Sequence, residues 1–211
     1  MQNKLAKLLS YILHPIFMPL WMTAMLFYFY DFALLINEKG MWFILGFIFV
    51  FSICLPLLWI WFMYKVGIVK SLQMPAREER RLPYLMMLFI NLGLLYSFSE
   101  VMKVGGMVSA SFAGISLVLL VLNFSNVFFK ISAHSTSITG LLGIFLAEIV
   151  CYGLKSYHSF YLMMVLLIIS GFVMSSRLLL KVHTLKQVWY GAFFGFVSGF
   201  LGVYLFNVLR G

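Results

Sequence analysis

An all-α, polytopic transmembrane helical bundle of about six to seven spans is the fold this sequence predicts, and three observations predict it. Hydrophobic residues make up 64% of the 211 positions and charged residues only 10%. Apolar runs of about 18 residues or more recur, each long enough to cross a hydrocarbon core about 30 Å thick. Strand-length alternation is absent, and inside hydrocarbon only helices or closed barrels satisfy the backbone. No stretch is left over for a soluble domain, so residues 1–211 read as one integral membrane domain.

The apolar runs place seven spans in order at about 12 to 36, 41 to 64, 84 to 99, 107 to 129, 135 to 154, 157 to 176 and 188 to 209. The first follows Lys4 and Lys7, and with no small-residue cleavage site after its apolar part it reads as a retained span rather than a removed leader. Cys54 and Cys151 lie in the second and fifth runs, where they read as small buried hydrophobes. The third and fourth spans are joined through Gly105 and Gly106, and the fifth carries Gly140 and Gly143. His158 sits in the short link before the sixth. In the seventh, Gly191, Gly195 and Gly199 share a helix face at four-residue spacing, where small residues let helices approach closely.

Counting crossings sorts the cations. The N-terminus and segments 65 to 83, 130 to 134 and 177 to 187 emerge on one side, face X. That face takes Lys4, Lys7, Lys65, Lys70, Arg77, Arg80, Arg81, Lys130, Arg177, Lys181 and Lys186, against Lys39, Lys103, Lys155 and Arg210 on face Y. Two readings compete. By the positive-inside rule, basic loops simply mark the cytoplasmic side. Alternatively, several of these cations form an anion site, since arginine forks and lysine point charges are what phosphate recognition requires.

The histidines favour the second reading. His14, before Pro15, and His158 have no polar constellation around them in sequence and read as structural or interfacial. His134 in "KISAHSTS" and His183 in "SSRLLLKVHTLKQV" each sit at a face-X span end beside serine and a cation. Two such histidines at one depth suggest a functional site. Metal binding is the weaker option, because few carboxylates and no further His or Cys accompany them.

These stretches resemble the type 2 phosphatidic acid phosphatases, which share an active site with acid phosphatases and vanadium haloperoxidases and carry the motifs K-x6-R-P, P-S-G-H and S-R-x5-H-x3-D. The third motif matches best: Ser176 and Arg177, then His183 after five residues and Gln187 after three more, followed by Val188, Gly191 and Gly195. The second appears as Ile131, Ser132, Ala133 and His134, without the proline and glycine. Lys70 and Arg77 have the spacing of the first, but Glu78 replaces its proline, and Arg80 or Arg81, shortly before Pro83, is the alternative counterpart. The resemblance covers about residues 70 to 199.

What the resemblance implies is a lipid phosphatase acting on a lipid phosphomonoester or polyprenyl diphosphate in a bacterial inner (cell) membrane, with no cofactor and no metal. His183 would be the nucleophile that forms a phosphohistidine, and His134 would protonate the leaving oxygen and then activate water. Lys70, Arg77 (or Arg80 or Arg81), Arg177, the Ser132 hydroxyl and the Ala133 backbone would hold phosphate. Gln187 stands where the family has an aspartate, keeping the hydrogen bond to the nucleophile without the charge. A membrane lipid is thus the expected partner, no nucleic acid is expected, and the oligomeric state is left open. Two other functions compete: a weakened relative that binds phospholipid headgroups without turnover, and an unrelated small transporter, for which Glu148 is the intramembrane carboxylate. Charge places face X in the cytoplasm, whereas the family resemblance places the site on the opposite side.

Overall fold

A computed structural model describes the chain except residues 1, 30–35, 72–73, 75, 154–156 and 211. Lys155 and the far end of the first expected span lie outside the described residues. Nine α-helices are described: α1 (Gln2–Ile12), α2 (Met18–Phe29), α3 (Glu38–Phe49), α4 (Leu55–Lys65), α5 (Arg81–Tyr96), α6 (Gly106–Phe128), α7 (Ala133–Tyr152), α8 (Tyr157–Leu179) and α9 (Leu185–Arg210). A π-helical segment, Val50–Cys54, joins α3 to α4, and another, Ser97–Val101, extends α5. The helices make seven units long and apolar enough to span a membrane, and the architecture is an all-α bundle.

The first unit differs from the expected span of 12 to 36. It begins ten residues or so earlier, as α1, and is broken before α2. Proline clashes with an α conformation in the residue before it, and His14 accordingly turns to φ −69°, ψ 139° ahead of Pro15. Its Nδ1 accepts the Ile16 N–H at 3.3 Å, starting a short 3-10 turn, Pro15–Phe17. Lys4 and Lys7 break the apolar run of α1, but Ala6 and Ser10 are buried, so the helix packs through a small-residue face rather than a greasy one.

Burial identifies the axis of the bundle. The most apolar windows of α6 and α7 are 61% and 67% buried, whereas those of the other five units are 28–33% buried and face lipid. The closest pair is α7 with α9. A Cβ on Gly195 would overlap the Thr136 carbonyl, and one on Gly199 would overlap that of Gly140, so both positions require glycine for this approach. The Thr139 hydroxyl bonds across the seam to the Ala192 carbonyl at 2.9 Å. The two helices run parallel: the Ser132 N–H meets the Gln187 carbonyl at one end (3.2 Å), and the Tyr152 hydroxyl meets Asn207 Oδ1 at the other (2.6 Å). Glu148 is fully buried between α6 and α7, accepting from the Ser111 hydroxyl at 2.8 Å.

Candidate functional site

The site is assembled where α8 ends and α7 and α9 begin. Thr184 and Gln187 form a reciprocal cap at the start of α9: the Thr184 N–H donates to Gln187 Oε1 (3.2 Å), and the Gln187 N–H donates to Thr184 Oγ1 (3.4 Å). The same Oε1 lies 3.1 Å from His183 Nδ1. A backbone N–H can only donate, so the amide is turned with its oxygen toward His183. Nδ1 therefore carries a hydrogen, and Nε2 keeps the lone pair. Burial lowers the His183 pKa to about 4; the Gln187 bond opposes the shift, while Arg177, Lys130 and Arg80 reinforce it. The imidazole is neutral at neutral pH.

Arg177, in the last turn of α8, donates from Nη1 to the Ser10 hydroxyl at 2.9 Å, while its Nε is buried without a hydrogen-bond partner. On α7, His134 Nε2 lies 3.1 Å from the Ser10 carbonyl oxygen. The ring of His14 stands edge-on to that of His134, with centroids 5.1 Å apart. Ser132 is fully buried, and its hydroxyl accepts from the Ser135 N–H (3.3 Å) and hydroxyl (3.0 Å). Those two bonds leave the hydroxyl's own hydrogen unspent, but Ser132, expected as a phosphate donor, is absent from the lining of the site's cavity.

A cavity of about 850 Å3 opens among these groups, lined at its polar end by Arg80, Lys130, Ala133, His134, Arg177 and His183. Lys7, Ser10 and His14 line it as well. No Asp or Glu does so among the described residues, and the two ion pairs described, Arg77–Glu78 and Arg210–Glu100, involve none of these cations. Partial burial and the neighbouring Arg80 hold the Lys130 ammonium below the usual lysine range. Away from the charges, the walls become apolar, with Ile60, Ile115, Val118, Leu122 and Ile144.

Of the three arginines open for the first motif, only Arg80 reaches the cavity, its Nε fixed on the Met74 carbonyl at 2.8 Å. Arg77 is a strut instead, donating to the Phe128 carbonyl (2.8 Å) and to Glu78 (3.0 Å), while the Arg77 carbonyl accepts from Asn126 Nδ2 (2.9 Å). Lys70 and Arg81 are exposed and away from the cavity lining. Of the expected Lys70, Arg77, Arg80 and Arg81, Arg80 is the one that lines the cavity, joined there by Lys130, while loop contacts hold Arg77 elsewhere. Gln187 reaches the site through His183 rather than lining the cavity.

Sequence reasoning missed Ser10 and His14, reading the latter as structural or interfacial. The available signal was Ala6 and Ser10 at four-residue spacing, a small-residue packing face immediately before the His14–Pro15 break. Glu148, the residue that would speak for a transporter, is absent from the cavity lining. Compared with protein-family models, with curated proteins and with solved structures, the chain gives no match.

Proposed function

We propose that this protein is a membrane lipid phosphatase of the type 2 phosphatidic acid phosphatase kind, releasing phosphate from a lipid phosphomonoester or a polyprenyl diphosphate. One observation carries the reading: Lys7, Arg80, Lys130 and Arg177, with no carboxylate among the described lining residues, meet His14, His134 and His183 in a cavity whose remaining walls are largely apolar. Lys7 is exposed and the other three are half-buried, so these like charges gathered without a carboxylate repel one another, and a bound anion relieves that repulsion. A lipid phosphate supplies that anion together with a chain suited to the apolar walls.

His183 Nε2 attacks phosphorus, and the bond from phosphorus to the leaving oxygen breaks. His134, which takes up a proton as the phosphate dianion binds, gives that oxygen the proton. It then takes one from water as the water oxygen displaces phosphate from the phosphohistidine, and returns it to solvent as phosphate departs. Phosphate leaves, both imidazoles return to their starting states, and the cations stabilise the transferring oxygens throughout. The proposed setting is a bacterial inner (cell) membrane.

Purified protein given phosphatidic acid or a polyprenyl diphosphate is expected to release phosphate. His183→Ala and His134→Ala should each reduce release by about 10²-fold or more while leaving thermal stability near wild type. Near-wild-type turnover in either variant would remove this mechanism. Gln187 in place of a carboxylate favours a second reading, headgroup binding without turnover. Binding of these lipids by a wild type that releases no phosphate would select it.

A further inference from the structure

The break at His14–Pro15 leaves the Ser10 carbonyl among the last four of α1, beyond the reach of the helix's own amides. His134 of α7 supplies the missing donor through Nε2. The Ser10 hydroxyl is separately employed. It donates back to the Ala6 carbonyl at 2.9 Å, which uses its only hydrogen and leaves lone pairs that accept Arg177 Nη1 at 2.9 Å. Among the described residues, Ser10 alone hydrogen-bonds both His134 and Arg177. It is 7% exposed and sits on a helix outside the region that resembles phosphatases.

Resting on the proposed phosphatase reading, we propose that Ser10 is the positioning residue of the site, orienting the phosphate-binding arginine through its hydroxyl and the acid–base histidine through its carbonyl. A carbonyl oxygen can only accept, so His134 Nε2 keeps its hydrogen in both protonation states. Nδ1 is then the nitrogen that gives the leaving oxygen its proton and takes one from water. With Nη1 held by Ser10, the guanidinium plane is fixed, and Nη2, which no group among the described residues engages, remains for a phosphate oxygen. A serine that only bonded back onto its own helix would explain the Ala6 contact but neither of the others.

The two duties separate experimentally. Ser10→Ala removes the hydroxyl and keeps the carbonyl. It is expected to raise KM for phosphatidic acid, and the inhibition constant of inorganic phosphate, about tenfold, with kcat changed less than about threefold. Ser10→Thr should restore most of the loss. Histidine-¹⁵N NMR of the wild type at neutral pH should show His134 with Nε2 protonated and Nδ1 bare, and Ser10→Ala should leave that tautomer in place. Unchanged KM and phosphate inhibition in Ser10→Ala, or loss without rescue in Ser10→Thr, would overturn the hydroxyl's role; the opposite tautomer would overturn the carbonyl's. Should Ser10→Ala fail to fold, Ser10→Thr and the wild-type tautomer decide. A wild type that releases no phosphate from any lipid defeats the phosphatase reading alone, because phosphate affinity, measured by calorimetry, and the tautomer still test Ser10.

Discussion

Gln187 carries two tasks on one side-chain oxygen, closing the cap of α9 on Thr184 and receiving the His183 Nδ1 hydrogen. Gln187→Asp tests how far the missing charge limits the chemistry. A carboxylate beside Nδ1 stabilises the positive imidazole that forms when Nε2 takes phosphorus, so turnover at neutral pH is expected to rise by about 10²-fold or more. The acid side of the profile should also move. His183 must be neutral to attack, and its pKa of about 4 keeps the wild type competent until pH falls through that value. The added anion raises this pKa, so the variant should lose activity at a higher pH than the wild type. Phosphate release across pH for both proteins measures the two effects, and superimposable profiles would mean that Gln187 serves α9 alone. The spacing of Arg177, His183 and Gln187 was legible in the sequence because the decisive contact is local, four residues apart on one turn. The choice among Arg77, Arg80 and Arg81 was not. It depends on carbonyls at Phe128 and Met74 that no spacing specifies.

Helix by helix, composition foretold the long spans, since lipid-facing sides and buried sides are both apolar. It obscured α1, whose two lysines and buried serine look like a flank rather than a wall of the site. Ser10 lies 124 residues from His134 and 167 from Arg177, so no local pattern could join them. The glycine face of the last span was legible as a packing face, and its partner proves to be α7. Gly195→Ala should therefore destabilise the protein by about 1 to 3 kcal/mol through overpacking. It should also depress phosphate release, because α9 sets Gln187, and His183 just ahead of it, relative to His134. Gly171→Ala is the control: its Cβ would meet open space on the lipid side of α8, and stability should hold or rise by up to about 1 kcal/mol. Thermal unfolding in detergent compares the pair, and equal effects would place the helix contact elsewhere.

At the scale of the molecule, the gathering of cations on face X has both local and global readouts. Eleven of the fifteen Lys and Arg residues fall there by the crossing count, and Lys7, Arg80, Lys130 and Arg177 converge on one cavity. The positive-inside rule predicts that this end faces the cytoplasm and the C-terminus the opposite side. An alkaline phosphatase reporter fused after Gly211 should then be active, and a fluorescent reporter that matures only in the cytoplasm should stay dark; the reverse pattern would put the site on the extracytoplasmic side. The parallel run of α7 and α9 adds something that no side chain supplies. Most neighbouring membrane helices alternate in direction, so their peptide dipoles oppose one another. Here two adjacent helices both begin at the mouth, each presenting about half a positive charge from its first amides. The glycine seam that holds them together thus also keeps two like poles side by side. The C-terminal ends of α1 and α8 reach the same mouth with the opposite pole, so the backbone dipoles largely offset one another there. The anion affinity proposed for the mouth therefore falls to its lysines and arginines, each exchange of which should weaken it.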